Sequence, residues 1–169
     1  MGTIKYNHFE YGEMLASKLK AIKHTKEDVH FFRATEQTRY EDLVDSMSSA
    51  HGTILIALNG AVSDFLWVDS DSLMERPQYS FCVLKNTVSD DTDTIFLAQS
   101  ECKEIAMQII ARMLRDSDSY KNNGLNLINK NSFKIEGIGP VGDNFYGVEL
   151  SFSFDQGTDF RIDTTMWEG

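Results

Sequence analysis

The stretch Val148-Glu-Leu-Ser-Phe-Ser-Phe154 alternates strictly between apolar and polar residues. Successive side chains of a β-strand point to opposite faces, so this alternation predicts a strand with one buried and one exposed face. Phe133 and Ile135 precede it with the same period, and a segment containing glycine and proline lies between the two. The sequence therefore predicts a long amphipathic β-hairpin over residues 131–154.

The clearest helix precedes this hairpin and is predicted over residues 101–115, with Ser100 as its N-cap. Acidic residues open the segment and arginines close it, as the helix dipole favours. Its apolar residues fall at helical spacing and form one stripe: Cys102, Ile105, Ala106, Ile109, Ile110, Met113 and Leu114.

Shorter elements are predicted in the first half of the chain. Helical spacing of apolar residues predicts a helix over residues 11–23, and a second helix, capped by Thr35 or Thr38, is expected to run to about Met47. Asn59-Gly60 follows the apolar run 53–58 and is typical of a two-residue hairpin turn, which would return the chain through residues 65–68. A polar loop is expected over 69–77. Further short strands are predicted over residues 29–34, 79–85, 94–98 and 160–162.

These elements together predict a single α+β domain over residues 1–169. We expect a mostly antiparallel β-sheet with two or three flanking helices and a long C-terminal β-hairpin. A chain of 169 residues buries enough surface to form a core without metal or disulfide support. Cys82 and Cys102 are therefore expected to be buried core residues rather than a disulfide.

The charge balance bears on the partners of the chain. Asp and Glu number 26 against 16 Lys and Arg, which gives a net charge of −10. A protein with this excess of negative charge is not expected to wrap nucleic acid, because binding to phosphates relies on lysine and arginine. Four lysines at 18, 20, 23 and 26 form a small basic patch, which a solvated helix face explains equally well. No apolar run is long enough to span a membrane and no secretory signal is visible, so we expect a soluble protein made in a cytoplasm, with no membrane partner.

Motifs that carry chemistry are weak in this sequence. Gly137-Ile-Gly-Pro-Val-Gly142 matches a dinucleotide-binding pattern, but a strand rather than a helix follows it, which favours a glycine-rich hairpin tip. The acidic turns 69–71 and 116–118 lack the later positions of a calcium loop. No metal-ligand spacing and no nucleophile elbow is present. We expect no catalytic residue, no cofactor and no metal, and hence no enzyme.

A candidate subunit interface lies at the hairpin tip and near the C-terminus. Apolar residues gather at both places, where aromatic and methionine side chains are typical of protein interfaces. The other interpretation, that they fold back onto the domain's own sheet, stays open. The candidate interface residues are Ile138, Pro140, Val141, Phe145, Tyr146, Met166 and Trp167.

The layout of the chain resembles small virion proteins of tailed bacteriophages, of the tail-terminator or tail-completion (neck) kind. The features shared are an N-terminal helix, short strands, the Asn59-Gly60 turn, the long helix 101–115 and a C-terminal hairpin with a glycine- and proline-containing tip. The resemblance implies a homo-oligomeric ring, commonly a hexamer, that caps the tail tube and joins it to the neck. It also implies three kinds of partner: further copies of the chain, tail-tube and neck or connector proteins, and genomic DNA that passes the lumen without specific binding.

The same resemblance implies a location in the virion, reached from the cytoplasm of the host bacterium. An acidic lumen would keep the genome from sticking to the ring. Two alternatives remain. One is an acidic cytoplasmic binding module, such as an immunity-type inhibitor that covers a basic toxin. The other is an enzyme of unrecognised type, which a buried polar cleft would favour.

Overall fold

The computed structural model describes residues 5–35, 40–87, 91–119 and 124–169. The helices are α1 (His8–Lys18), α2 (Tyr40–Ser48) and α3 (Thr92–Ser117), and two short 3-10 turns lie at Leu125–Leu127 and Thr164–Met166. The strands are β1 (Phe31–Ala34), β2 (Thr53–Asp69), β3 (Ser72–Asn86), β4 (Lys134–Val141), β5 (Phe145–Ser153) and β6 (Gln156–Gly157).

The strands form one six-stranded sheet in the order β1-β2-β3-β5-β4, and β6 pairs with β3 beside β5. The pairs β2–β3, β3–β5, β4–β5 and β3–β6 are antiparallel, while β1 pairs with β2 in parallel. The predicted α+β class, with a mostly antiparallel sheet and flanking helices, is confirmed.

The first face of the sheet is covered by α1 and α3. The apolar face of β5 lies there as predicted, and Leu150 is 0% exposed. It packs with Leu55 of β2 and with Ile109 and Met113 of α3 in one core. The alternation that predicted the strand thus matches its burial pattern, because every second side chain of β5 meets a helix.

The second face carries a smaller core under α2. Ile54 and Ile56 of β2 point to this face and pack with Met47 of α2. Cys82 belongs to this second core, whereas Cys102 of α3 lies in the first. The prediction that both cysteines are buried is confirmed, and the sheet between the two cores separates their sulfur atoms.

Helix α3 begins nine residues earlier than predicted, at Thr92 rather than residue 101. Asp91 is its N-cap and accepts hydrogen bonds from the backbone N–H of Asp93 and from Oγ1 of Thr94, each at 3.1 Å. The predicted strand 94–98 and the predicted cap Ser100 are therefore wrong. A short apolar run such as residues 94–98 is compatible with a strand and with a buried helix segment. Here the Asp91 cap starts the helix before this run, so the run is helical.

Other predicted boundaries shift as well. Helix α1 ends at Lys18 because Leu19 is extended (ψ 118°), and the chain folds back so that the N–H of Ile22 donates to the carbonyl oxygen of Leu19. Helix α2 begins at Tyr40, and the proposed cap Thr38 lies outside the described residues. The predicted strand 160–162 is wrong, since the chain has no strand there.

The predicted turn at Asn59-Gly60 is also wrong, because β2 runs through it to Asp69. The pairing with β3 shifts between Leu58 and Val62, and Ala61 takes a φ of 52°. The side chain of Asn59 accepts a hydrogen bond from the N–H of Ala61 at 3.1 Å. These residues form a β-bulge, which uses the same local hydrogen bond and left-handed conformation that a turn uses. The chain reverses instead at residues 70–71.

A buried histidine links α1 to the sheet. His8 is nearly inaccessible, and its Nε2 donates to the carbonyl oxygen of Ser80 at 2.7 Å while its Nδ1 accepts from the hydroxyl of Tyr6 at 2.8 Å. The imidazole also lies against the ring of Phe81, with centroids 4.3 Å apart. Burial lowers the pKa of His8 to about 4, because the desolvated site disfavours the charged form.

We predict that His8 makes the protein less stable in mild acid. In the unfolded chain this side chain binds a proton near pH 6.5, whereas the folded chain does so only near pH 4. Stability is therefore full above the unfolded value and is lost as pH falls towards 4, by about 3 kcal/mol of the free energy of unfolding. Urea unfolding between pH 7 and 4 should show this fall in the wild type and a flatter profile in His8→Gln. The exposed His51→Gln is the control and should follow the wild type; equal slopes in all three proteins would contradict the prediction.

Candidate interaction surface

The tip of the β4–β5 hairpin does not project from the domain as the sequence suggested. Val141 and Phe145 are only 8% and 5% exposed. They pack with Met47 of α2 in the second core, and Ile138 lies against the same cluster. Helix α2 thus supplies, within the same chain, the cover that the sequence assigned to a neighbouring subunit. Val141 and Phe145 at the hairpin tip therefore belong to the second core of the domain.

The other candidate interface residues remain accessible to different degrees. Ile138 and Tyr146 are half-buried and Pro140 is exposed. Met166 and Trp167, in contrast, are 80% and 72% exposed at the C-terminal end. The structure therefore divides the predicted interface into a covered hairpin tip and a bare C-terminal segment.

The glycine pattern at the tip has a backbone role. Gly139 and Gly142 take φ values of 135° and 60°, which glycine adopts at little cost. A Cβ at Gly139 would lie within van der Waals overlap of the Tyr146 ring. Strand β5 follows this turn, so the glycines do not open a helix, as the glycines of a pyrophosphate site do.

A surface that the sequence did not predict lies at the far end of the β2–β3 hairpin. We call Val62–Met74 the distal arm. Its exposed apolar side chains come from both faces of β2, and Trp67 is 66% exposed. The members of this exposed set are Val62, Phe65, Leu66, Trp67 and Val68.

The distal arm has one bare edge. Strand β1 pairs with β2 only up to Leu58, and no strand among the described residues pairs with that edge beyond this point. On the other edge β6 pairs with Met74 and Glu75. A two-stranded hairpin is at best marginally stable by itself, and an exposed apolar edge invites pairing with another chain. The arm therefore has the properties of an unoccupied protein-binding element.

Hydrogen bonds hold the base of the arm firmly. The carboxylate of Glu75 accepts from Nε2 of Gln156 at 2.9 Å and from Oγ of Ser63 at 2.8 Å, and these bonds lower its pKa. Next to it, Nε of Arg76 lies 2.9 Å from Oδ1 of Asp155. The base is thus tied to the segment that follows β5, so the arm has a defined direction.

The C-terminal segment lies along the arm. The ring of Phe160 meets that of Phe65 edge-on, with centroids 5.6 Å apart. Asp159 beside it accepts hydrogen bonds from the Arg161 guanidinium, which lower the pKa of this carboxyl to about 2. Phe160 therefore extends the apolar surface that the arm begins, and Met166 and Trp167 are further exposed apolar residues of the same C-terminal segment.

The distal arm is acidic. Asp64, Asp69 and Asp71 lie within it, and Val62–Met74 contains no lysine or arginine. The N–H of Asp71 donates to Oδ1 of Asp69 at 3.0 Å, which lowers the pKa of Asp69. The arm therefore carries three negative charges along the same hairpin as its aromatic side chains.

An open cleft of about 710 Å³, lined by both apolar and polar residues, lies at the base of the arm. Its ionisable lining residues include Lys5, Glu75 and Asp159. Glu75 is engaged with Ser63 and Gln156, and Asp159 with Arg161. The carboxylates of the cleft thus hold the arm and the C-terminal segment in place, and the lining residues that the structure describes include no histidine or cysteine.

Metal clusters and membrane-spanning helices are both absent from the described part of the chain. Among the described residues, no group of three or more His, Cys, Asp or Glu side chains is arranged to hold a metal ion. No helix within the described ranges is both long enough and apolar enough to cross a membrane.

Comparison with family models, curated proteins and solved structures gives no match for this chain. No family model matches its sequence. No curated protein matches it. No solved structure matches its fold. Its function is therefore inferred from its own surfaces.

We predict that the glycine-rich tip binds no nucleotide. Gly139 lies in β4 and Gly142 in the turn to β5, so these glycines do not open a helix whose N-terminus would stabilise a phosphate. Titration with NAD, ATP or GTP should leave the melting temperature and the fluorescence of Trp67 and Trp167 unchanged. Saturable binding of any of the three at micromolar concentration would contradict this.

A matched pair of substitutions should separate the core from the arm. Leu150→Ala removes a fully buried side chain and should lower the free energy of unfolding by about 2–5 kcal/mol. Trp67→Ser changes a side chain that is 66% exposed, and surface changes of this kind stay within about 0.5 kcal/mol. Urea unfolding followed by circular dichroism measures both. An equal loss of stability in the two variants would mean that Trp67 packs on its own domain.

Proposed function

We propose that this protein is a structural virion protein of a tailed bacteriophage, a subunit of a tail-terminator or neck ring that caps the tail tube. The observation that carries the proposal is the distal arm, where apolar side chains on both faces and one strand edge lie open. Contiguous exposed apolar surface of this kind marks protein-interaction sites. The partner of such an arm is expected to be another protein.

Several features support further copies of the same chain as that partner. Phe65 and Trp67 on the arm, and Met166 and Trp167 in the C-terminal segment, are exposed residues of types enriched at protein interfaces. The order of segments along the sequence, apart from the Asn59-Gly60 turn, resembles that of ring-forming tail proteins. A net charge of −10 suits a ring around a DNA channel, because like charge keeps the genome from binding to the wall.

A second candidate function is favoured by one observation. Asp64, Asp69 and Asp71 lie on the same arm as Trp67, and an acidic surface with an aromatic anchor also fits a basic protein partner. An immunity-type inhibitor would use the arm in this way. The two candidates differ in one measurable property, since the ring subunit associates with itself and the inhibitor does not.

We predict that the purified protein forms a closed oligomer, with a hexamer as the expected size. Native mass spectrometry and negative-stain electron microscopy at micromolar concentration should show one discrete ring species. Phe65→Ser/Trp67→Ser should stay monomeric and keep its circular dichroism spectrum, because the arm lies outside the core. Phe96→Ser is the matched control, since Phe96 is equally exposed at 67% but lies on α3, and it should assemble normally.

The second half of this experiment adds the major tail-tube protein encoded in the same genome. A ring subunit should associate with that protein, and Phe96→Ser should do so equally well. A protein that stays monomeric both alone and with the tail-tube protein would contradict the ring proposal and would favour the inhibitor.

A further inference from the structure

We infer that the distal arm of one copy docks head-to-tail into a groove at the opposite end of a second copy. This inference rests on the proposed self-association and names the surface that receives the arm. The two surfaces are complementary in charge and in apolar character, and they lie too far apart to meet within one chain.

The receiving groove lies between the end of α1, the end of the β2–β3 hairpin opposite the arm, and the middle of α3. It is open and has a volume of about 700 Å³. Leu19 and Ile105 form part of its floor, and Met107 beside them is 53% exposed. An adaptable methionine in an open apolar groove is suited to receive aromatic side chains, such as those of Phe65 and Trp67.

Lysines gather in the sequence on the α1 side of the groove. Lys20 lines the groove; Lys18 precedes it by two residues, Lys23 and Lys26 follow it, and all four side chains are exposed. None of these four lysines forms a salt bridge with a residue that the structure describes. The four lysines are therefore available to meet the three carboxylates of an arm.

The α3 side of the groove carries two carboxylates, Glu101 and Glu104. Glu101 forms an ion pair with Lys85, so its charge is already compensated. Glu104 would repel an acidic arm, and it thereby favours docking against the lysines rather than against α3. Interfaces use like charges in this way to set the orientation of a partner.

Distance excludes docking of the arm into its own groove. Thr53 begins β2 and lines the groove, whereas Asp69 ends β2 at the tip of the arm. At roughly 3.3 Å per residue, the strand length between them is about 50 Å. The bulge at residues 59–61 bends the strand but does not reverse it, because β2 and β3 stay paired on both sides of the bulge. The partner of each arm must therefore be another molecule.

Charge also excludes the simplest symmetric arrangement. In an arm-to-arm dimer, Asp64, Asp69 and Asp71 of one copy would face the same residues of the other, and like-charge juxtaposition is costly. A head-to-tail contact joins two different surfaces instead. Such heterologous contacts repeat from copy to copy, and they form a ring when the rotation between copies closes.

Mixing two variants tests the inference directly. Phe65→Ser/Trp67→Ser disables the arm and keeps the groove, while Lys20→Glu/Met107→Ser disables the groove and keeps the arm. Each variant should be monomeric alone by native mass spectrometry, and their mixture should form a one-to-one dimer and nothing larger. Lys134→Glu, an exposed lysine on β4, is the matched charge control and should assemble like the wild type. Circular dichroism spectra equal to that of the wild type establish that all variants are folded.

A charge exchange provides the second measurement. Lys18→Glu/Lys20→Glu/Lys23→Glu should be monomeric alone, and so should Asp64→Lys/Asp69→Lys/Asp71→Lys. Their mixture matches every arm with a groove of opposite charge, so it should restore a ring in which the two variants alternate. Normal assembly of the groove variant, with loss in the arm variant only, would overturn the groove and leave the ring proposal standing. Head-to-tail assembly that never captures the tail-tube protein would overturn the proposed function and leave the docking in place. A wild type that is monomeric at every concentration would overturn the docking itself.

Discussion

The β2–β3 hairpin is longer than the helices can cover, and the rest of the structure depends on this mismatch. Its first part is buried on both faces, since α1 and α3 lie on one side of Ile54–Leu58 and α2 lies on the other. From Val62 onward neither face is buried. Apolar burial is the main stabilising term in folding, so the covered part of the hairpin holds the domain together. The uncovered part contributes little to that stability and leaves its apolar side chains for a partner.

The sequence predicted best those features that depend on local periodicity. The alternation around Leu150 and Phe152 and the apolar stripe of α3 both follow from the geometry of a single element, and the structure confirms both. The sequence could not locate the end of β2 in the same way. Asn59 makes a hydrogen bond to Ala61 whether the chain reverses or continues as a bulge. Which of the two occurs depends on the partner strand, because β3 continues its pairing up to Ser72, and that pairing is not visible in a local pattern.

The cover of the candidate interface residues could not be predicted from a local pattern either. Val141 and Phe145 are apolar residues near a turn. Such a pattern indicates that they are covered, but not whether the cover comes from the same chain or from a neighbouring subunit. Their cover is Met47 of α2, a residue almost a hundred positions away. The predicted turn at Asn59-Gly60 places Phe65 and Trp67 in a returning strand with one buried face. Their exposure follows from the lengths of the helices relative to the hairpin, a property of the assembled domain that no single segment encodes.

The arm combines a fixed base with a bare end, and this combination bears on how it would bind. Glu75 and Arg76 tie the base to the segment after β5, and Phe160 supports the side of Phe65. An element that is already ordered loses less conformational entropy on docking than a disordered segment does. The aromatic side chains can then supply most of the affinity, since buried aromatic anchors dominate binding energy. The three aspartates would act differently, because charges at the rim of an interface mainly steer the approach and fix the orientation. An arm built in this way would favour a single docking geometry, and the proposed ring requires one such geometry repeated between identical copies.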